Sequence, residues 1–127
     1  MILVDTSAWI HFFRGRAPQA GRVDDLLATN DLALCGPVLT ELRRVLRSAT
    51  ERRRLIPLFD GCHLLSQPAR LWEEAGELGY LLARKGVTTG TVDLLIATYA
   101  LSHGVPVLAA DSDFATMRRA GIPILTV

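Results

Sequence analysis

No stretch of this sequence approaches the roughly 20 consecutive apolar residues that span a bilayer. The opening apolar run Ile2-Leu3-Val4 breaks at Asp5 with no basic residue before it, unlike a secretory leader. Cysteine is scarce: Cys35 and Cys62 stand far apart and outside any paired ligand spacing, so neither a disulfide framework nor a cysteine-held metal is expected. Charge of one sign is missing too. Fourteen basic against thirteen acidic residues leave a formal net charge of +1, so no global field gathers polyanions or anionic lipid. Lysine occurs once, at Lys85. No repeat, low-complexity tract or linker interrupts the chain. A cytoplasmic protein without membrane contact is the expectation.

What is present is globular. Half of the residues are hydrophobic and 21% are charged, far from the composition that keeps a chain unfolded. Residues 1–127 are one domain's worth of chain, enough for one core. Short apolar runs predict strands at 2–4, 32–35, 62–65, 106–110 and 124–127. Helices are expected at 8–13, 23–28, from Gly36-Pro37 onward, and at 51–59, 69–84, 92–102 and 113–119. Thr6 and Ser7 offer cap chemistry for the first helix, and residues 92–102 are apolar nearly all round, as in a central buried helix. Strands alternating with helices predict an α/β fold with a parallel sheet of four to five strands and helices on both faces. In such sheets ligands bind beyond the carboxyl ends of the strands.

That rule selects the acids. Asp5 directly follows the first strand and Asp111 the fourth. Each alone could cap the helix that follows it; together they point to one crevice. Glu41 falls beside the stripe made by Val38, Leu42, Val45 and Ala49, where a bare charge is costly and needs a cation, a hydrogen-bonded partner or a route to water. An i,i+3 pair with Arg44 is the plain alternative. Asp93 lies in the first turn of the most hydrophobic helix, where the helix dipole favours an anion. Asp113 precedes Phe114 as a helix cap would. Acids converging without matching lysines or histidines repel one another unless divalent cations sit among them. Hard oxygen ligands select Mg²⁺ or Mn²⁺ over zinc, and such a cluster is common apparatus for phosphodiester hydrolysis.

Four segments, Met1-Ile-Leu-Val-Asp-Thr-Ser-Ala-Trp-Ile, Leu39-Thr-Glu-Leu, Asp93-Leu-Leu-Ile-Ala and Asp111-Ser-Asp-Phe, in this order and spacing, resemble a PIN domain. More narrowly, the chain is similar to the VapC toxins of bacterial and archaeal toxin–antitoxin pairs. The resemblance implies a three-layer PIN-like fold and a Mg²⁺-dependent endoribonuclease, with Mn²⁺ substituting. It implies that Asp5, Glu41, Asp93 and Asp111 are the catalytic metal-binding acids and Asp113 an outer ligand. Thr6 and Ser7 match the supporting hydroxyls that follow the first acid, while His11 stands where many relatives carry an acid. It further implies a structured RNA substrate, a homodimer or a hetero-oligomer with antitoxin, and silencing by a VapB-like antitoxin whose tail enters the active-site groove.

Other residues carry weaker signals. Arg43, Arg44, Arg47, Arg52, Arg53 and Arg54 crowd a few helical turns, as a solvated face or as a track for a phosphate backbone. Arg14 and Arg16, in the loop after the first helix, lie nearer the crevice and, with Arg43, are the RNA contacts expected. Trp9 and Phe12 read as core or dimer contacts. His11, His63 and His103 lack metal-ligand spacing, and Cys35 has no histidine near it in sequence to make it a nucleophile. Two other classes compete. A phosphoacceptor receiver-like switch needs a lysine near its last strands, whereas Lys85 precedes the Asp93 helix. A non-catalytic α/β binding module would use the acids as caps and surface charge.

Overall fold

The apolar runs that end at a polar or small residue become the strands of one sheet in the computed structural model, which describes residues 1–127. The strands are β1 (Ile2–Val4), β2 (Leu32–Leu34), β3 (His63–Leu64) and β4 (Val107–Leu108). They pair in parallel in the order β3-β2-β1-β4. Leu3 and Val4 on β1 and Leu32, Ala33 and Leu34 on β2 are buried in unbroken succession. Consecutive side chains point to opposite faces, so both faces of the sheet must be covered. Seven helices supply the cover: α1 (Thr6–Phe13), α2 (Gln19–Ala28), α3 (Gly36–Val45), α4 (Ala49–Asp60), α5 (Leu71–Arg84), α6 (Thr91–His103) and α7 (Asp113–Arg119). The result is the expected α/β sandwich with a parallel sheet at its centre.

The strand expected at 124–127 survives only as a single parallel bridge between Val107 and Thr126. Its partner β4 is two residues long and follows Pro106, which has no N–H to extend the ladder. Helix starts move for local reasons. Asp5, not Thr6 or Ser7, caps α1: the Ser7 amide donates to Asp5 Oδ2 at 3.1 Å, so the two hydroxyl residues lie inside the helix. Ser48 caps α4 reciprocally with Glu51, accepting from the Glu51 amide at 3.1 Å and donating to its carboxylate at 3.0 Å, which starts that helix at Ala49. Asp113 is not a cap either, because the cap position of α7 is Ser112 and Asp113 begins the helix itself. The stripe around Glu41 also changes: α3 ends at Val45, which is exposed, and Leu46 takes the buried place beyond Leu42.

Aromatic packing fixes α1. Trp9 is wholly buried, and its ring meets Phe59 of α4 edge-on at 5.3 Å between centroids, with Phe12 and Phe13 completing the cluster. Trp9 and Phe12 thus serve the core. The central helix α6 is buried along Ile96 to Ala100 and packs against α5 and α3. Its approach to α5 depends on Gly79, where a Cβ would stand 2.8 Å from Leu94 Cδ1. Close contact at Leu94 holds the neighbouring first turn of α6, which carries Asp93, against the rest of the fold.

Candidate active site

The chain leaves β1 toward β2 and β3 on one side and returns to β4 on the other, so strand order reverses between β1 and β4. A crevice opens at the carboxyl ends of the strands at such a reversal. Asp5 stands at the end of β1, and its amide donates to Leu108 O of β4 at 2.8 Å. Ser7 ties the same two strands together through its side chain. Its hydroxyl donates to Asp5 Oδ2 at 2.6 Å and accepts from the Ala110 amide, just after β4, at 2.9 Å. One residue earlier, the Thr6 hydroxyl donates to Glu41 Oε1 of α3 at 2.7 Å. Glu41 therefore has the hydrogen-bonded partner its position requires, and it forms no ion pair with Arg44. The one side-chain ion pair in the chain joins Arg70 to Glu73, elsewhere on the surface.

Around this anchor the acids feel one another. Asp5 is buried, and burial raises its carboxyl above the ordinary value against the lowering pull of the Ser7 hydrogen bonds; the charge of Asp111 adds to the rise. Asp93, half-buried, is pushed up to about 7, first by burial, then by a hydrogen bond to the Asp113 carboxyl and by the charges of Asp5, Asp113 and Asp111. Asp111 and Asp113 are exposed at the rim, where the Asp113 amide donates to Asp111 Oδ1 at 3.3 Å. Glu41 reaches the group through Thr6 and through Cys35, whose buried thiol is pushed up to about 12 by burial and by the charges of Asp5 and Glu41. A thiol so raised is no nucleophile.

The structure thus brings Asp5, Asp93, Asp111 and Asp113 within electrostatic reach of one another, with Glu41 on the flank and Thr6 and Ser7 as the hydroxyls that hold two of the acids. No group of three or more Asp, Glu, His or Cys side chains stands close enough together to hold a metal ion as the side chains lie here. All donors are hard oxygens, a set that suits a hard divalent cation, and the charges that raise Asp93 mark the negative surroundings such an ion would meet.

Two cavities flank Glu41. One, of about 460 Å³, is lined by Arg14, Glu41, Arg44, Val45 and Arg47. The other, of about 420 Å³, lies between α3, α5 and α6 and shares Glu41 and Arg44 with the first. Of the three arginines expected to contact RNA, Arg14 lines the first cavity, whereas Arg16 and Arg43 are exposed and line neither. Arg44 and Arg47 line the first cavity beside Arg14, and only the fold of α3 could single them out from the arginine cluster. Arg52 is structural: its guanidinium donates to Arg43 O at 2.7 Å and to Leu46 O at 2.8 Å, capping the end of α3. Trp72, on the wall of the second cavity, carried no signal in the sequence beyond being an aromatic near a helix start. His63 and His103 bond to Asn30 O and Ser66 O, away from the acids.

The family described as PIN domain matches residues 2–120. Ribonuclease VapC11 of Mycobacterium tuberculosis (strain ATCC 25618 / H37Rv) is 32% identical over 124 residues, covering 94% of this chain and 92% of that relative. The crystal structure of VapBC2 from Rickettsia felis bound to a DNA fragment from their promoter has a TM-score of 0.79 at 20% identity, covering 100% of this chain and 98% of that one. VapBC-1 from nontypeable Haemophilus influenzae has a TM-score of 0.76 at 21% identity, covering 100% of this chain and 97% of that one. At such identities the two structures speak for the fold alone.

Proposed function

The chain belongs to the PIN-domain family and, within it, to the VapC ribonucleases, and from that premise we propose that it is a Mg²⁺-dependent endoribonuclease, the toxin of a toxin–antitoxin pair. The observation that carries the reading is the group of acids at the β1–β4 switch point, drawn from separate segments and left without a cationic side chain of their own. Asp5, Asp93, Asp111 and Glu41 would hold the ion, with Asp113 as outer ligand; Mn²⁺ would substitute. A divalent ion held there supplies an activated water and steadies charge on the phosphate.

The chain's own residues do the rest. Ser7 fixes Asp5 with one oxygen engaged and the other free, and Thr6 does the same for Glu41. A cation held there would favour the carboxylate form of Asp93, which burial and its acidic neighbours otherwise oppose. Arg14, Arg44 and Arg47 offer guanidinium groups to the phosphates on either side of the cut. Structured RNA as substrate, a VapB-like antitoxin as inhibitor, homodimerisation and a cytoplasmic setting complete the proposal. No helix is long and apolar enough to cross a membrane.

The receiver-like alternative is weakened by Lys85, whose ammonium donates to Ala120 O at the end of α7 and is thus engaged away from the acids. Incubating the protein with transfer RNA and Mn²⁺ tests the nuclease reading. Cleavage by wild type that disappears in both Asp5→Asn and Asp93→Asn supports it. Cleavage retained by either variant, or absent from wild type on transfer and ribosomal RNA alike with no Mn²⁺-induced rise in melting temperature, would favour the binding module.

A further inference from the structure

Two of the acids stand at the starts of helices that α5 touches separately. Asp93 lies in the first turn of α6, next to Leu94, and Leu94 packs on α5 at Gly79. Asp113 is the first residue of α7, and the end of α5 reaches α7 through Lys85, the chain's only lysine, whose ammonium donates to Ala120 O. Both ends of that contact are fixed by the backbone. α5 closes on Gly86 at φ +80°, with the Val87 amide donating to Leu82 O at 2.9 Å and the Gly86 amide to Ala83 O at 3.0 Å. α7 closes in the same way on Gly121 at φ +97°, with the Ile122 amide donating to Met117 O at 3.1 Å and the Gly121 amide to Arg118 O at 3.0 Å. Such a closure leaves the carbonyl just before the glycine without an amide. In α7 that carbonyl is Ala120 O, at the negative end of the helix, where an ammonium is favoured. A Cβ at position 121 would stand 3.0 Å from Lys85 Nζ, so the glycine serves the turn and leaves room for the lysine.

α7 needs an outside hold. It has seven residues, well below the roughly 12–15 at which a lone helix becomes stable in water. Ser112 makes no side-chain cap bond at its start, and its buried residues are Phe114 and Met117. Apolar burial has no direction, so those two contacts keep α7 on the core without fixing its place along its own axis. A shift at Ala120 carries about 10 Å along the helix to Asp113. Asp93 and Asp113 feel each other's charge between α6 and α7, and their separation decides whether both can face one cation. We propose that Lys85 is a positioning residue of the acidic site: with Gly79 it makes α5 a strut, about 21 Å long, that sets the separation of Asp93 and Asp113. The assignment rests on the metal-dependent reading above and deepens it, because it places part of the control of the site at the end of α7 remote from the acids.

The experiment titrates Mn²⁺ calorimetrically into wild type, Lys85→Met, Lys85→Arg, Asp113→Asn and the double variant Lys85→Met with Asp113→Asn, and follows hydrogen exchange of residues 113–120 without metal. Methionine keeps most of the stem and removes the charge and the donors. The expected result in Lys85→Met is faster exchange in α7 and a Mn²⁺ affinity about 10-fold lower, the lower end of the range for groups that orient ligands. Lys85→Arg restores both. In the Asp113→Asn background Lys85→Met lowers Mn²⁺ affinity no further, because residues that act through one another are not additive. A lysine that only stabilises the surface would cost the same in both backgrounds. Unchanged Mn²⁺ affinity in Lys85→Met, or an equal loss with and without Asp113, overturns the assignment and leaves the nuclease reading standing. A wild type that binds no Mn²⁺ overturns the metal site itself, and the strut with it.

Discussion

Replacing Ser7 by alanine tests whether one hydroxyl holds the two central strands and the innermost acid together. The hydroxyl donates to the Asp5 carboxylate at 2.6 Å and accepts from the Ala110 amide at 2.9 Å. Losing the first removes a hydrogen bond to a charged group, worth about 1.5–3 kcal/mol, and losing the second leaves a part-buried N–H unsatisfied at about 1–3 kcal/mol. Water entering the partly open site returns some of this, so the expected cost is about 2–4 kcal/mol. For a chain of this length that lowers Tm by roughly 6–16 °C. The assay is thermal and urea unfolding by circular dichroism without metal, in wild-type and Asp5→Asn backgrounds. Asn at position 5 can still accept from Ser7, but without charge, so Ser7→Ala should cost about half as much there. Equal losses in both backgrounds, or a loss below about 0.5 kcal/mol in wild type, would refute the claim that Ser7 stabilises a charged Asp5.

Three further outcomes are expected. Because the Asp93 carboxyl lies well above its ordinary value, at about 7, the native state binds the proton more tightly than the unfolded chain, and this contribution to stability is lost as pH rises from about 4 to 7; metal-free Asp93→Asn should therefore melt above wild type at pH 8 and level with it at pH 4.5, and a difference independent of pH would contradict this. Thr6→Val frees Glu41 from its 2.7 Å hydrogen bond and should reduce Mn²⁺ affinity or cleavage about 10- to 100-fold with little loss of Tm, whereas Thr6→Ser keeps activity; calorimetric Mn²⁺ titration checks it. Arg52→Ala uncaps two carbonyls of α3 and should cost about 1 kcal/mol at this partly exposed site without changing RNA affinity, whereas Arg44→Ala should weaken RNA binding and flatten its salt dependence; filter binding at several salt concentrations separates the two.

The candidate acids were legible because their positions follow from strand ends and helix starts. Asp5 after Val4 and Asp111 shortly after β4 were placed at the carboxyl edge by local pattern, and Asp93 by its position in the first turn of an all-round apolar helix. The hydroxyls of Thr6 and Ser7 were legible as polar groups at the start of α1, but as caps, whereas in the fold they hold Glu41 and Asp5 from inside the helix. Arg44 and Arg47, rather than Arg16 and Arg43, line the cavity beside Glu41, because which arginine of a cluster borders it depends on where α3 stops. That stop is set by Leu46 burying itself and by Arg52 reaching back from α4.

The linear chain was enough to fix the class of the fold and to single out the acids, since burial period, helix punctuation and the scarcity of lysine and cysteine are local or compositional properties. Three features waited on folding: the reversal of strand order between β1 and β4, the mutual approach of Asp5, Asp93, Asp111 and Asp113, and the wall that an exposed indole shares with the arginine cavity. The difference is one of range. Local hydrogen bonds and hydrophobic period act over a few residues, whereas these juxtapositions arise from the packing of α3, α5 and α6 around one sheet, between residues tens of positions apart.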